Sequence, residues 1–216
     1  MPNSVFEQVN KKVVRTDVSP GGEVIARRGA MLGYSGGVTF RPISGSGGVG
    51  GMVGRAMQGE SVAMMVAEGQ GNAFYGFRGL YVTLVQLANE TLTVEADRLL
   101  AHHANLSTSV EMIGSGGIRQ AVRGAVSGQG LFTTKVSGTG SVALLSHGGT
   151  FEIPVDGSGM VGVDPQAYVG HVGALQIDFK VSGGIRDVVG RGSGEATQLH
   201  CTGHGRVYIQ ASEEKF

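Results

Sequence analysis

The sequence predicts an all-β protein assembled from three repeats, and three observations carry that prediction. Its apolar stretches are short, rich in β-branched and aromatic residues, and bounded by Gly, Asn or Ser, the pattern of strands between turns. Glycine fills 39 of 216 positions without a collagen-like period, so the glycines punctuate the chain. Three separate signatures also share a period of roughly 68 residues, the mark of a repeat architecture.

The first signature is Gly69-Gln70-Gly71, Gly138-Thr139-Gly140 and Gly203-His204-Gly205, spaced 69 and 65 residues apart. The second runs from Val94 to His102 and again, 69 residues on, from Val163 to His171. Its third copy, Met31-Leu32-Gly33-Tyr34, lies 68 residues upstream of Leu99-Leu100-Ala101-His102. The third signature is Ser46-Gly47-Gly48-Val49, Ser115-Gly116-Gly117-Ile118 and Ser182-Gly183-Gly184-Ile185, spaced 69 and 67 residues apart. Counted from the Gly-x-Gly stretches, the last repeat begins near Gly194 and is completed by the N-terminus. The reading is one domain, 1–216, of three permuted repeats at about 59–127, 128–192, and 193–216 joined to 1–58. The expected object is a pseudo-threefold sandwich, barrel or prism with its chain ends paired.

The elements follow from local pattern. Residues 61–66, 131–136 and 196–201 read as strands leading into the Gly-x-Gly stretches. Residues 80–87 carry β-branched and aromatic side chains and stop at Ala88-Asn89-Glu90, a turn signal; residues 91–95 alternate, as a half-buried strand does. Residues 141–145 and 206–210 hold the same place after their glycines, so hairpins are expected at the Gly-x-Gly stretches. Residues 94–106 have roughly helical spacing, but the aligned copy holds Pro165 and Gly170, which disfavour a helix interior; both copies read as a turn plus a strand. The glycine-rich stretches 44–54, 114–124 and 182–194 recur regularly, so they read as equivalent loops on one rim, each with room for one helical turn, as at 118–122.

Seventeen basic residues balance seventeen acidic ones, and charged residues are 16% of the chain. So little charge at net zero favours self-association, and it argues against the basic footprint of a nucleic-acid binder. Few aromatics (6%, no Trp) argue the same way against single-stranded nucleic acid. Cys201 is the one cysteine, which excludes an intrachain disulfide and suits a reducing compartment; it reads as a small buried hydrophobe. The first residues have no apolar signal core, and no apolar run approaches a membrane span, so the expected location is cytoplasmic.

No catalytic, cofactor or metal residue survives comparison with its structural alternative. Gly45-Ser46-Gly47-Gly48-Val49-Gly50 matches a dinucleotide fingerprint in letters but lacks the helix that must follow. His102 and His171 are repeat-equivalent, but Tyr34 in the third place spoils a three-histidine site. His200-Cys201-Thr202-Gly203-His204 contains no carboxylate, and Cys201 should point away from His200 on a strand. His147 beside Ser146 has no triad geometry behind it, and Gly157-Ser158-Gly159 is a turn. Glu95 and Asp164 are repeat mates and read as turn or inter-repeat groups. The candidate residues lie in the rim loops: Met52, Val53 and Arg55 in the first, Ile118, Arg119, Val122 and Arg123 in the second, and Ile185, Arg186, Val189 and Arg191 in the third. Arginines among glycines offer anion-binding nests, and the apolar neighbours fit docking to a partner protein or an anionic membrane surface.

At residues 28–34, 128–132, 163–169 and 191–195 the chain resembles the altered-inheritance-of-mitochondria family, and the resemblance runs from about Phe6 to Phe216. That resemblance implies a fold like the ring-forming tryptophan RNA-binding attenuation protein, with blades related to a shortened double-stranded β-helix. It implies scaffolding, by analogy with a mitochondrial inner-membrane member, and it supplies no catalytic residues to carry over. The expected function is therefore a non-enzymatic, self-assembling scaffold or interaction module without cofactor, a homo-oligomer with a trimer favoured. An RNA- or small-ligand-binding ring protein is the alternative, an argument from fold alone.

Overall fold

The structure is a computed structural model that describes residues 4–20, 22–43, 62–112, 132–181 and 197–214. Among the described residues every regular element but one is a strand: β1 (Phe6–Asn10), β2 (Val13–Val18), β3 (Val24–Arg27), β4 (Met31–Pro42), β5 (Met64–Tyr75), β6 (Tyr81–Glu95), β7 (Leu99–His103), β8 (Ser107–Met112), β9 (Phe132–Ser146), β10 (Thr150–Asp156), β11 (Val161–Val163), β12 (Tyr168–Val181) and β13 (Thr197–Gln210). The exception is a single 3-10 turn, Ala96–Arg98, between β6 and β7. Residues 94–106 are therefore a turn and a strand, and no α-helix forms there.

All strands join one antiparallel sheet in the order β1-β2-β5-β3-β7-β9-β6-β12-β13-β10, with β4 beside β5, β8 beside β9 and β11 beside β13. Three long strands, β5, β9 and β13, organise it. Each has a long partner from the chain just before it: β4 on β5, β7 and β8 on β9, β12 on β13. On its other flank β5 pairs with β2 and then β3, β9 with β6, and β13 with β10 and then β11. Two ladders link these groups: β3 with β7, and β12 with β6.

Among the described residues no ladder pairs the chain ends, the pairing expected of a closed object. Among the described residues β1 pairs only with β2, while β13 takes β10, β11 and β12 as neighbours. Because β4 pairs with β5, the first group is complete within its own stretch of chain. A repeat's phase is arbitrary in sequence; strand pairing sets it.

The Gly-x-Gly stretches are not hairpin turns either. Each lies inside a continuous strand and bends it, with Gly69 at φ +109°, Gly138 at +129° and Gly203 at +108°. The physical reason is backbone crowding. A Cβ on Gly71 would stand 2.0 Å from the Ser35 carbonyl oxygen, and one on Gly203 2.3 Å from that of Ala174. The partner strands bend with them: Gly36 (φ +82°) stands opposite Gly71, and Gly173 (φ +104°) opposite Gly205. In the middle group the partner breaks instead, into β7 and β8, so Gly138 and Gly140 meet only side-chain atoms at 3.1 Å. There β6 accommodates the bend with a bulge at Asn89 (φ +58°), whose N–H donates to Thr139. Ala88-Asn89-Glu90 is thus a bulge in one long strand.

The core falls into three clusters, one around each long strand. Val14, Tyr75 and Leu145 anchor the first, Leu87, Leu92 and Leu144 the second, and Tyr168, Leu199 and Val207 the third. Residues 91–95 were expected to be half-buried, yet Leu92, Thr93 and Val94 are all buried, because β6 is flanked there by both β9 and β12.

Gly203→Ala should cost about 3 kcal/mol, since it adds both a strained positive φ and a backbone clash. Gly29→Ala, at φ +80° but with nothing within 4 Å of the added Cβ, should cost only about 1 kcal/mol. Urea unfolding of the two variants checks the ranking; equal losses would show that conformation alone, not crowding, demands glycine at 203.

Candidate functional site

The best candidate is a pair of sheet margins rather than a cleft. Along β4 the flank away from β5 has no strand neighbour among the described residues. Met31, Leu32 and Tyr34 project there into solvent, Leu32 at 59% and Tyr34 at 55% exposure, and Ile43 follows the strand, also exposed. At the opposite end of the sheet, β10 and β11 pair only with β13, and Phe151 and Met160 are exposed. A shallow open groove lined by Phe151, Gly162, Val163, Ala167 and Ile209 runs beside β11. A second, between β6 and β10, is crossed by Arg206, which donates to Glu90 at 3.3 Å and to the Tyr208 hydroxyl at 2.8 Å. Arg206 and Tyr208 there are engaged with each other and with Glu90.

Two of the histidines weighed in the sequence, His102 and His171, are packing groups; His147 and His200 are partly exposed and His204 is exposed. His102 and His171 are buried at 2% and 7% exposure. Burial pulls the pKa of His171 down to about 4, with Lys135 adding to the shift, and lowers that of His102 as well. Burial also raises the Tyr168 hydroxyl far above its ordinary value, so it stays protonated, and it shares a hydrogen bond with His171 Nδ1 at 2.6 Å. Cys201 is buried and its thiol pushed up to about 11, which suits a small hydrophobe and not a nucleophile. Asp164 accepts the Gln166 N–H at 2.7 Å and closes the turn before β12. Among the described residues no group of three or more His, Cys, Asp or Glu side chains could hold a metal ion. The loop residues Met52, Val53, Arg55, Ile118, Arg119, Val122, Arg123, Ile185, Arg186, Val189 and Arg191 lie outside the described residues.

Sequence reasoning missed Arg98, which is fully buried. It follows β6 in the 3-10 turn and donates to Glu95 at 3.1 Å, to Gln210 Oε1 at the end of β13, and to the Glu214 carbonyl at 3.4 Å. Gln210 returns the bond by donating to Glu214 at 2.8 Å, and its Oε1 also accepts the His147 N–H at 2.9 Å. Desolvation lowers the pKa of Arg98, opposed by the Glu95 charge and hydrogen bond, and the guanidinium remains charged. This cluster ties the second group of strands to the third.

The geometry so far defines a class: an all-β protein of one continuous antiparallel sheet, bent at paired glycines, whose most accessible apolar surface is sheet margin. Within that class the chain belongs to the mitochondrial biogenesis AIM24 family, whose profile matches residues 4–212. Among solved structures it is similar to a crystal structure of a Streptococcus pyogenes protein, with a TM-score of 0.74 and 24% identity over 97% of this chain and 93% of that one. At that identity the likeness speaks for the fold. No curated protein matches the chain. No helix among the described residues is long and apolar enough to cross a membrane.

Two outcomes are expected. Arg98→Met should destabilise by about 3–5 kcal/mol, because Glu95 and Gln210 lose their buried partner; a loss below about 1 kcal/mol in denaturant titration would show that the cluster is dispensable. His171 binds a proton near pH 6.5 when unfolded but only near pH 4 when folded, so stability is full above 6.5 and falls as pH drops toward 4. Urea midpoints between pH 7 and 4 should fall less steeply for His171→Gln than for the parent chain.

Proposed function

We propose that the chain is a non-enzymatic scaffold that assembles with copies of itself, a trimer being the favoured form. The observation carrying this reading is where the exposed apolar residues sit. Of eight large hydrophobic residues exposed among the described ones, Met31, Leu32 and Tyr34 lie on β4, Ile43 directly after it, and Phe151 and Met160 at the β10–β11 end. Unpaired margins recruit strands, and β4 carries none of the charged side chains that usually discourage it along residues 31–37. A chain at net zero charge adds no general repulsion between copies. Partner docking, to a protein complex or a membrane surface, falls in this reading to the arginine-bearing stretches around Arg55, Arg119, Arg123, Arg186 and Arg191. A lone, buried cysteine suits a cytoplasmic setting.

Light scattering at micromolar concentration tests the assembly. The expected mass is three times the 22.2 kDa chain, and it should hold in high salt because the contact is apolar. A mass of 22.2 kDa that persists on concentrating overturns the scaffold reading.

A further inference from the structure

We propose that the open flank of β4 receives β11 of a second copy, head to tail, in an antiparallel ladder that sets Gly33 opposite Val163, Tyr34 opposite Gly162 and Ser35 opposite Val161. The proposal rests on the self-assembly reading and names the two surfaces that meet.

The register comes from the two junctions already inside the chain. Tyr34, His102 and His171 hold one position, for they stand opposite Ala73, Val142 and Val207, each four residues past the first glycine of its Gly-x-Gly. Val24, Leu92 and Val161 hold another, opposite Ala67, Val136 and Cys201, each two residues before that glycine. At the first junction His102 faces Ile25, the residue after Val24. At the second His171 faces Thr93, the residue after Leu92. Both junctions therefore use one offset. Two positions are left over, Tyr34 on β4 and Gly162 after Val161 on β11, and among the described residues no ladder joins them.

Burial agrees with the register. Leu100 and Val169 are fully buried beside their junctions, whereas Leu32, the equivalent residue on β4, is among the most exposed apolar side chains of the described residues. His102 and His171 are buried and Tyr34 is not. The β4 sequence is as apolar as its two counterparts, which suits a strand built to be covered. A groove of mixed lining, with Phe151, Val163 and Ile209 beside Asp164 and Glu213, lies next to Gly162 and leaves room there. The two surfaces differ and lie at opposite ends of the sheet, so the contact is heterologous and each copy offers one of each.

Paired cysteines test this. Tyr34 is exposed, and a Cβ on Gly162 meets only Gln198 at 3.7 Å and Met160 at 3.9 Å, so both positions accept substitution. Mild oxidation of Tyr34→Cys/Gly162→Cys should give disulfide-linked dimers and higher multiples on non-reducing gels. Mixing the two single variants should give the 34–162 heterodimer, while each single variant alone, like the parent with its buried Cys201, stays at chain mass. A Tyr34→Cys self-dimer, a 34–162 bond within one chain, or no bond at all overturns the assignment. If an oligomer persists by light scattering without the 34–162 bond, the assignment fails and the scaffold reading stands; a monomer defeats both. As a second measurement, Leu32→Arg/Tyr34→Arg should keep the β-type circular dichroism and reduce the mass to 22.2 kDa; an unchanged oligomer overturns the assignment.

Discussion

The fold depends on backbone meeting backbone where the long hairpins bend. Gly36 against Gly71, and Gly173 against Gly205, approach so closely that a Cβ at any of them would fall within 3 Å of the facing main chain. The bend is also where neighbours change. β5 leaves β2 at Gly71 and takes up β3 at Ala67; β13 leaves β10 at His204 and takes up β11 at Cys201. The bend thus falls where one neighbour on that flank gives way to the next, and the second neighbour of β5, β3, carries the ladder on to β7.

A second constraint acts across the groups. Burying a guanidinium is expensive, and a single carboxylate rarely compensates. Arg98 combines the Glu95 carboxylate with two uncharged oxygens, from Gln210 and the Glu214 main chain. The cluster is weak evidence for net stability, since a well-packed apolar replacement for all of it could do as well. Its directional bonds fix one arrangement of β6, β13 and the residues after β13. Apolar packing in the three clusters supplies bulk attraction, and the Arg98 bonds supply registration.

The all-β class and the strands before each Gly-x-Gly were legible because they rest on local chemistry: β-branched runs between glycines. What glycine does was not. A positive φ serves a hairpin turn and a mid-strand bend equally well, and only the partner strand decides between them. Ala88-Asn89-Glu90 misled for the same reason, since Asn at positive φ marks a bulge as readily as a turn. Arg98 drew no notice in the sequence because its partner Gln210 is 112 residues away. The β4 margin was half legible: Met31-Leu32-Gly33-Tyr34 was recognised as the mate of Leu99-Leu100-Ala101-His102. That one is covered and the other bare follows from strand order, which the spacing of signatures does not contain.

The separation between register-locked strands and the stretches joining them has an entropic consequence. Between Pro42 and Met64, Met112 and Phe132, and Val181 and Thr197, the chain leaves one strand of a hairpin and re-enters the other. The ladders fix both ends of each connection, so its length enters through the entropy of closing the span. That entropy grows with the logarithm of length, about 0.6 kcal/mol per doubling. As far as closure alone is concerned, a change of length at any of these three points costs little, and the ladders on either side keep their register.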